Sequence, residues 1–368
     1  MITYCTNIHP GESWDETYLN LRTHLLEVKK AISPDEPFPI GLRLSNRAAI
    51  EIDEKASNEF SEWCRENGCF VPTINGFPYG SFHASVVKEN VYLPDWRSRE
   101  RVEYTKRLAD ILDRWLPDGV TGSISTVPVG FRRHISKDDH RMVRLNLIDV
   151  LEHMNVLQQK SGKEIILALE PEPGCVLEST EDAIHFFEQM AFPDELKDGI
   201  GLCFDCCHQA IEFEQPSESL KQLSNAGIRL AKVQLSSALR LQNFDRPMLA
   251  KFCEPTYLHQ VVIRQPNGAL CRYDDLPDAL QRHRAGDGEE WRVHFHVPIF
   301  MDGTEEQGTT RFFIQEILPL MDNHVLLEVE TYTWEILPPE LKGKTVTESI
   351  VREIQWVKSF RHETDRCS

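Results

Sequence analysis

The chain contains no apolar run close to the roughly 20 residues that a membrane helix needs, so no spanning segment is expected. Its first residues, MITYCTNIHPGESWDE, lack the basic start and apolar stretch of a secretory signal. Basic residues are in deficit. The 40 Lys and Arg against 58 Asp and Glu leave a formal net charge of −18. No run of Lys or Arg supplies the footprint a phosphate backbone requires, which argues against nucleic acid as a partner. Ten cysteines are present without regular spacing. Cys203-x-x-Cys206 has no second CxxC with which to build a zinc ribbon. Reduced, buried thiols in a cytoplasm are the expectation, with Cys203, Cys206 and Cys207 serving packing. There is no low-complexity tract and no repeat beyond an alternation of strands and helices.

That alternation is the main positive signal. The composition is that of a globular chain, 41% hydrophobic and 27% charged over 368 residues. Apolar runs at Met1–Asn7, Ile40–Leu44, Cys69–Ile74, Gly119–Val127, Glu164–Leu169, Ile200–Phe204, Ile228–Leu235 and Val325–Glu330 read as strands. Helical periodicity lies between them, for example over Trp14–Ile32, Arg97–Trp115 and Asp138–Gln159. Eight such units predict a (β/α)8 barrel occupying residues 1–368 as a single α/β domain. Long loops follow strands three and seven. The stretch 236–290 exceeds a simple connection and is expected to be an insertion or lid, with a hairpin over Gln260–Arg264 and Ala269–Tyr273.

Carboxylates and imidazoles gather at the ends of the late strands. The runs are Ile165–Pro173 (IILALEPEP), Gly201–His208 (GLCFDCCH), Trp291–Pro298 (WRVHFHVP) and Val325–Trp334 (VLLEVETYTW). All four read as buried strands. A buried strand that ends in carboxylates needs compensating charge, and a divalent cation supplies it. Glu170, Asp205 and Glu330 are therefore candidate ligands. His208, three residues after Asp205, can turn to the same centre. His294 and His296 share one side of an extended chain, which raises the imidazole count to three. Such a mixed set suits zinc or manganese better than calcium. Glu172 and Glu328 are expected to orient ligands or substrate hydroxyls. His9 and His83 follow strands one and three and could reach the same mouth. Arg132, beside Arg133, could hold an anionic substrate group.

The order of these motifs resembles the xylose isomerase-like barrels, a superfamily of sugar and sugar-phosphate isomerases and epimerases that also includes AP endonuclease IV. The likeness rests on LALEPEP at Glu170, FDCCH at Asp205 and His208, KVQLS ending strand seven, His294-x-His296, and VETYTW at Glu330. With Asn75–Tyr79 (NGFPY) and His83, the chain looks most like the EboE-type proteins linked to metabolite traffic. The resemblance implies that Glu170 and Glu330 bind metal and handle protons, and that Asp205 is a ligand. It implies that His208, His294 and His296 match positions holding an additional zinc in the nuclease branch, and that Asn75 contacts substrate. Gln234 stands where many relatives carry a ligating His; its carbonyl can ligate, but it cannot act as a base.

The function expected on these grounds is a metal-dependent isomerase or epimerase of a small polyhydroxylated or carbonyl metabolite. The cofactor would be zinc, manganese, magnesium or iron. A non-catalytic metabolite carrier that keeps the metal is one alternative, suggested by Gln234. A metal-dependent phosphodiesterase is the other, suggested by the three imidazoles.

Overall fold

The computed structural model describes residues 1–83, 86–303 and 307–367. Eight parallel strands form one sheet that curls into a nearly closed barrel with helices between the strands. In chain order the first seven are β1 (Ile2–Tyr4), β2 (Phe38–Arg43), β3 (Cys69–Asn75), β4 (Gly122–Thr126), β5 (Ile165–Leu169), β6 (Ile200–Asp205) and β7 (Arg229–Leu235). Five further strands intervene before the last barrel strand. They are β8 (Leu239–Leu241), β9 (Val261–Arg264), β10 (Leu270–Tyr273), β11 (Glu290–Val293) and β12 (Gln307–Thr309). The barrel ends with β13 (Leu327–Val329), which pairs with both β7 and β1. No helix of the described residues is long and apolar enough to cross a membrane.

The alternation of side chains along each strand sorts the barrel into two environments. Ile40, Leu42, Ile124, Leu167, Leu169, Leu202, Phe204, Val233, Leu235, Leu327 and Val329 belong to the apolar core shared with the helices. The opposite positions carry Thr3, Gly41, Thr73, Ser123, Cys203, Lys232, Gln234 and Glu328, all buried. This interior is polar. Thr73 and Ser123 hydroxyls lie 2.8 Å apart, and Lys232 Nζ donates to Glu328 Oε2 at 2.5 Å. Both members of that ion pair are fully buried. Barrel interiors are usually filled by branched apolar residues, so this one departs from the rule in the layer beneath the carboxylate rim.

The seam between β1 and β2, the two edges of the sheet, is bridged mainly by side chains. Thr3 Oγ1 donates to Pro39 O (2.6 Å) and accepts from Gly41 N (3.2 Å). A single bridge joins Cys5 and Gly41. Gly41 is required there, because a Cβ would lie 2.4 Å from Tyr4 O and 2.3 Å from Glu328 Oε1.

Most expected elements form within a few residues of their anticipated limits. The first helix contains a π-helical turn, Leu21–Leu25, between Trp14–Asn20 and Leu26–Ile32. One expectation is corrected. Trp291–Pro298 is not a strand throughout, because β11 ends at Val293 and its pairing is antiparallel. It belongs to a second sheet, order β10-β9-β11-β8-β12, that spans more of the chain than 236–290. This sheet has its own apolar core, including Leu241, Ile263, Leu276, Trp291 and Phe295. The sequence pattern separated its central hairpin from the barrel but not its full extent, since β8, β11 and β12 are short apolar or mixed runs outside 260–273.

Gly41→Ala is expected to lower stability by about 2 kcal/mol or more, the scale of overpacking a tight site. Chemical denaturation of the two proteins checks this; unchanged stability would mean the seam tolerates a methyl group.

Candidate metal centre

Parallel strands that end together bring their last residues to one rim. Glu170 follows β5, Asp205 ends β6 and Glu330 follows β13. Their carboxylate oxygens lie within 4.8 Å of one another, and all three residues are buried. Asp205 Oδ1 accepts from Ser236 Oγ (2.7 Å) and from the His208 amide (2.9 Å). Glu330 Oε1 accepts from Asn7 Nδ2 (2.8 Å). Glu170 Oε2 and Asp205 Oδ2 are buried without a hydrogen-bond partner. Burial pushes the Glu170 carboxyl well above the usual range, and Glu330 and Asp205 add to the push. Burial does the same to Glu330, with Asp205 and Glu328 adding to it and the Asn7 bond opposing. The nearby ammonium of Lys232 is taken up by Glu328.

A second cluster adjoins the first. His208 lies in the short helix Cys206–Ile211, capped by Asp205. His294 and His296 lie just beyond β11, where their shared side persists although the strand has ended. Each ring donates its Nδ1 proton to an oxygen: His208 to Pro171 O (2.8 Å), His294 to Gln260 Oε1 (2.7 Å) and His296 to Glu330 O (2.7 Å). The Gln260 orientation follows from its amide nitrogen, which donates to Pro173 O and Tyr92 Oη. In the neutral rings every Nε2 is therefore a bare lone pair. Yet His294 Nε2 lies 3.1 Å from both His208 Nε2 and His296 Nε2. Burial holds His294 well below its ordinary range, with His208 and His296 lowering it further, and burial pushes His296 down to about 4.

Two orphaned carboxylate oxygens and three converging lone pairs together fit divalent cations. Glu170, Asp205 and Glu330 offer oxygen donors. His208, His294 and His296 offer nitrogen, with Asp205, Glu172 and Cys207 within reach of the same imidazoles. Oxygen sets suit magnesium or manganese; imidazole sets suit zinc or iron. The outer partners Ser236, Gln260, Asn7 and Pro171 hold the donors in orientation, as metal sites require.

The cavity above this floor has an empty volume of about 510 Å³, its mouth included. Glu170, Glu172, His208, His294, Glu330 and Asn75 line it. Asn75 accepts from the Phe77 amide and donates toward Cys5 Sγ. Glu172 accepts from Tyr92 Oη (2.8 Å) and lies 3.7 Å from His294 Nδ1. Residues that the sequence reading passed over also line it: Asn7, Phe82, Tyr92, Tyr257 and Tyr332. Asn7, directly after strand one, had the same positional signal as the late carboxylates. Tyr257 and Gln260 come from the inserted sheet region and carried none.

Several anticipated residues lie elsewhere. Glu328 is fully buried against Lys232, one layer below the cavity, so it cannot touch substrate. Gln234 shares that layer. Its carbonyl accepts from Cys203 Sγ (3.2 Å) and its amide faces Glu328, which leaves it outside the carboxylate cluster. His9 stacks on His24 and meets Tyr4 Oη, away from the cavity. His83 does not line the cavity, but bonds to Asn7 O and Tyr257 Oη behind its wall. Arg132 is exposed and held by Glu178 and Asp182. A carboxylate-rich neighbourhood attracts that guanidinium outward.

No family model and no curated protein matches the chain. Solved structures do share its fold. One is an L-ribulose 3-epimerase, 12% identical with a TM-score of 0.54, covering 100% of this chain and 97% of that one. Another is a xylose isomerase-like TIM barrel protein from Mycobacterium smegmatis in complex with magnesium, 12% identical with a TM-score of 0.55, covering 98% and 95%. A third is the D-allulose 3-epimerase from Methylomonas sp. in complex with D-allulose, 11% identical with a TM-score of 0.52, covering 97% and 96%. The chain thus has the xylose isomerase-like TIM-barrel fold.

Because burial and repulsion raise the proton affinity of Glu170 and Glu330, a cation entering beside them competes with protons. Calorimetric titration of chelator-treated protein with manganese or zinc in buffers of different ionisation enthalpy is expected to show net proton release. Absence of binding, or binding with no proton release, would contradict the reading of the floor.

Proposed function

We propose that the protein is a metal-dependent isomerase or epimerase acting on a small carbonyl compound with a neighbouring hydroxyl. The observation that carries this is the meeting of Glu170 and Glu330 at one acidic centre from strands three places apart in the sheet. Two carboxyl groups approaching from different sides suit removal of a proton next to a carbonyl and its return to the other face or to the adjacent carbon. Glu170, Asp205 and Glu330 would hold a divalent cation, as would the three imidazoles. When bound, such an ion acidifies the proton next to the carbonyl and stabilises the charge that develops on oxygen.

The chain's own groups supply the rest. Burial and repulsion raise Glu170 and Glu330 well above the usual carboxyl range, which suits groups that must both accept and return a proton. Asn7 holds one oxygen of Glu330 and leaves the other for the substrate proton. Its own Oδ1 is buried without a partner and can accept from a substrate hydroxyl. Tyr92 and Gln260 hold Glu172, which keeps that carboxylate beside the imidazoles rather than beside the carboxyl pair. The epimerase names among proteins of this fold agree with the proposal. The inserted sheet region, through Tyr257, Leu258 and His294, would act as the wall or lid over the centre. The EboE-type likeness, carried by the whole motif order with Asn75–Tyr79, His83 and the VETYTW end, would place the reaction in metabolite traffic.

A second reading is favoured by one observation. The imidazole cluster sits beside the carboxylates, as a hydrolytic site with more than one metal would require. A phosphodiesterase would then be expected, and hydrolysis of a small diester to an alcohol and a phosphomonoester would distinguish it.

Glu330→Gln is expected to reduce turnover by about 10²–10⁴-fold, the range of a general acid–base contribution, while leaving the far-ultraviolet circular dichroism unchanged. The assay is solvent deuterium incorporation into a panel of hydroxy-carbonyl compounds, followed by NMR. Full exchange in the variant would remove Glu330 from the mechanism.

A further inference from the structure

The cavity changes character abruptly with height. Its floor is the acidic and imidazole centre. Its walls are Phe77, Phe82, Val87, Val91, Tyr257 and Tyr332. Phe82, Tyr257 and Tyr332 form a ring triad with centroids 5.1–5.2 Å apart. Of the two tyrosine hydroxyls in the upper wall, that of Tyr257 is already engaged and that of Tyr332 stands at the rim of the ring triad. His83 Nε2 meets Asn7 O at 2.6 Å and so carries the ring proton, which leaves Nδ1 to accept from Tyr257 Oη at 3.0 Å. Tyr92 Oη donates to Glu172.

The same walls offer nothing to a phosphate. Lys88 is the one cation lining the cavity among the described residues. Its ammonium has three donors and three acceptors already: Tyr257 O (2.6 Å), Asp275 Oδ2 (2.6 Å) and Glu254 O (3.3 Å). The adjacent amides of Val87 and Lys88 both donate to Thr256 O. Those two amides are therefore not free to cradle an anion, and the floor below carries Glu170, Glu172 and Glu330. A sugar phosphate would have to abandon its hydration for a surface without a matching donor. A bare sugar would lose water contacts along most of its length for the same reason.

We infer that the substrate is amphiphilic: a compact head bearing adjacent oxygens, joined to an uncharged alkyl or aromatic body that fills the upper cavity. The head is held at the centre, and this part of the inference rests on the proposed function. The body is selected by the aromatic walls, whose area and rigidity favour apolar surface over hydroxyls. Specificity in the upper cavity is therefore apolar rather than ionic.

The test uses a hydroxamate series with a constant head and a growing tail. Acetohydroxamate, benzohydroxamate and octanohydroxamate are titrated calorimetrically into manganese-loaded protein and into chelator-treated protein. Octanohydroxamate and benzohydroxamate are expected to bind at least about tenfold more tightly than acetohydroxamate in both forms, because the walls do not depend on the ion. Phe82→Ala is expected to shrink that ratio. Affinity independent of tail length, an undiminished ratio in Phe82→Ala, or tighter binding of xylulose 5-phosphate than of xylulose would overturn the inference. Failure of the metal reading shows differently, as equal affinity with and without manganese while the tail dependence persists.

Discussion

Three carboxyl groups forced into one buried cup are the constraint around which the rest of the structure is arranged. Like charges at this separation, away from water, repel, which raises the proton affinity of Glu170 and Glu330 and favours a shared cation. The protein does not neutralise them with its own bases. Lys232, the buried ammonium nearest to them, is bound by Glu328 one layer down. Its field reaches the rim but it forms no bond there. The polar barrel interior follows from the same arrangement: a buried ammonium and its carboxylate partner need polar neighbours, and Cys203, Gln234, Thr73 and Ser123 supply small or hydrogen-bonding ones.

The imidazole cluster extends the same logic with nitrogen. Each ring is locked into one tautomer by an oxygen on a different element: the loop after β5, the region before β9, and the end of β13. The second sheet region contributes to this cluster. Through Gln260 and His294 it supplies both a candidate ligand and the group that orients it. The pairing of β11 with β9 brings those two residues together. Glu353, buried in the final helix, adds a further brace, accepting from the Ile299 amide and Thr331 Oγ1. It ties the segment after His296 to the one after Glu330.

Legibility in the sequence divided along physical lines. The barrel strands could be read because their outward positions are apolar and their spacing matches βα units. Glu170, Asp205, His208 and Glu330 could be read because strand ends in a parallel barrel share one rim, so position along the chain translates into position in space. His294 and His296 were found by their spacing, although the strand thought to carry them stops one residue short. Gln234 was placed by the resemblance, in the position of a ligating His, and Glu328 by the alternation rule. It gives the side of the strand but not the depth along the barrel axis, and two residues of depth separate the rim from the interior layer.

His9, His83 and Arg132 show a different limit. A polar residue in a loop has several partners within reach, and only the folded chain decides among His24, Asn7 and Glu178. The sequence by itself determined the barrel, the alternation that makes it, and which strand ends carry acids and imidazoles, because all of these depend on short-range periodicity. Tertiary structure alone decided that Gln260 sets a histidine tautomer, that Lys88 is saturated by three oxygens, and that three aromatic rings from separate segments roof the centre. Those contacts join residues tens to hundreds of positions apart, and no local pattern encodes a distance of that kind.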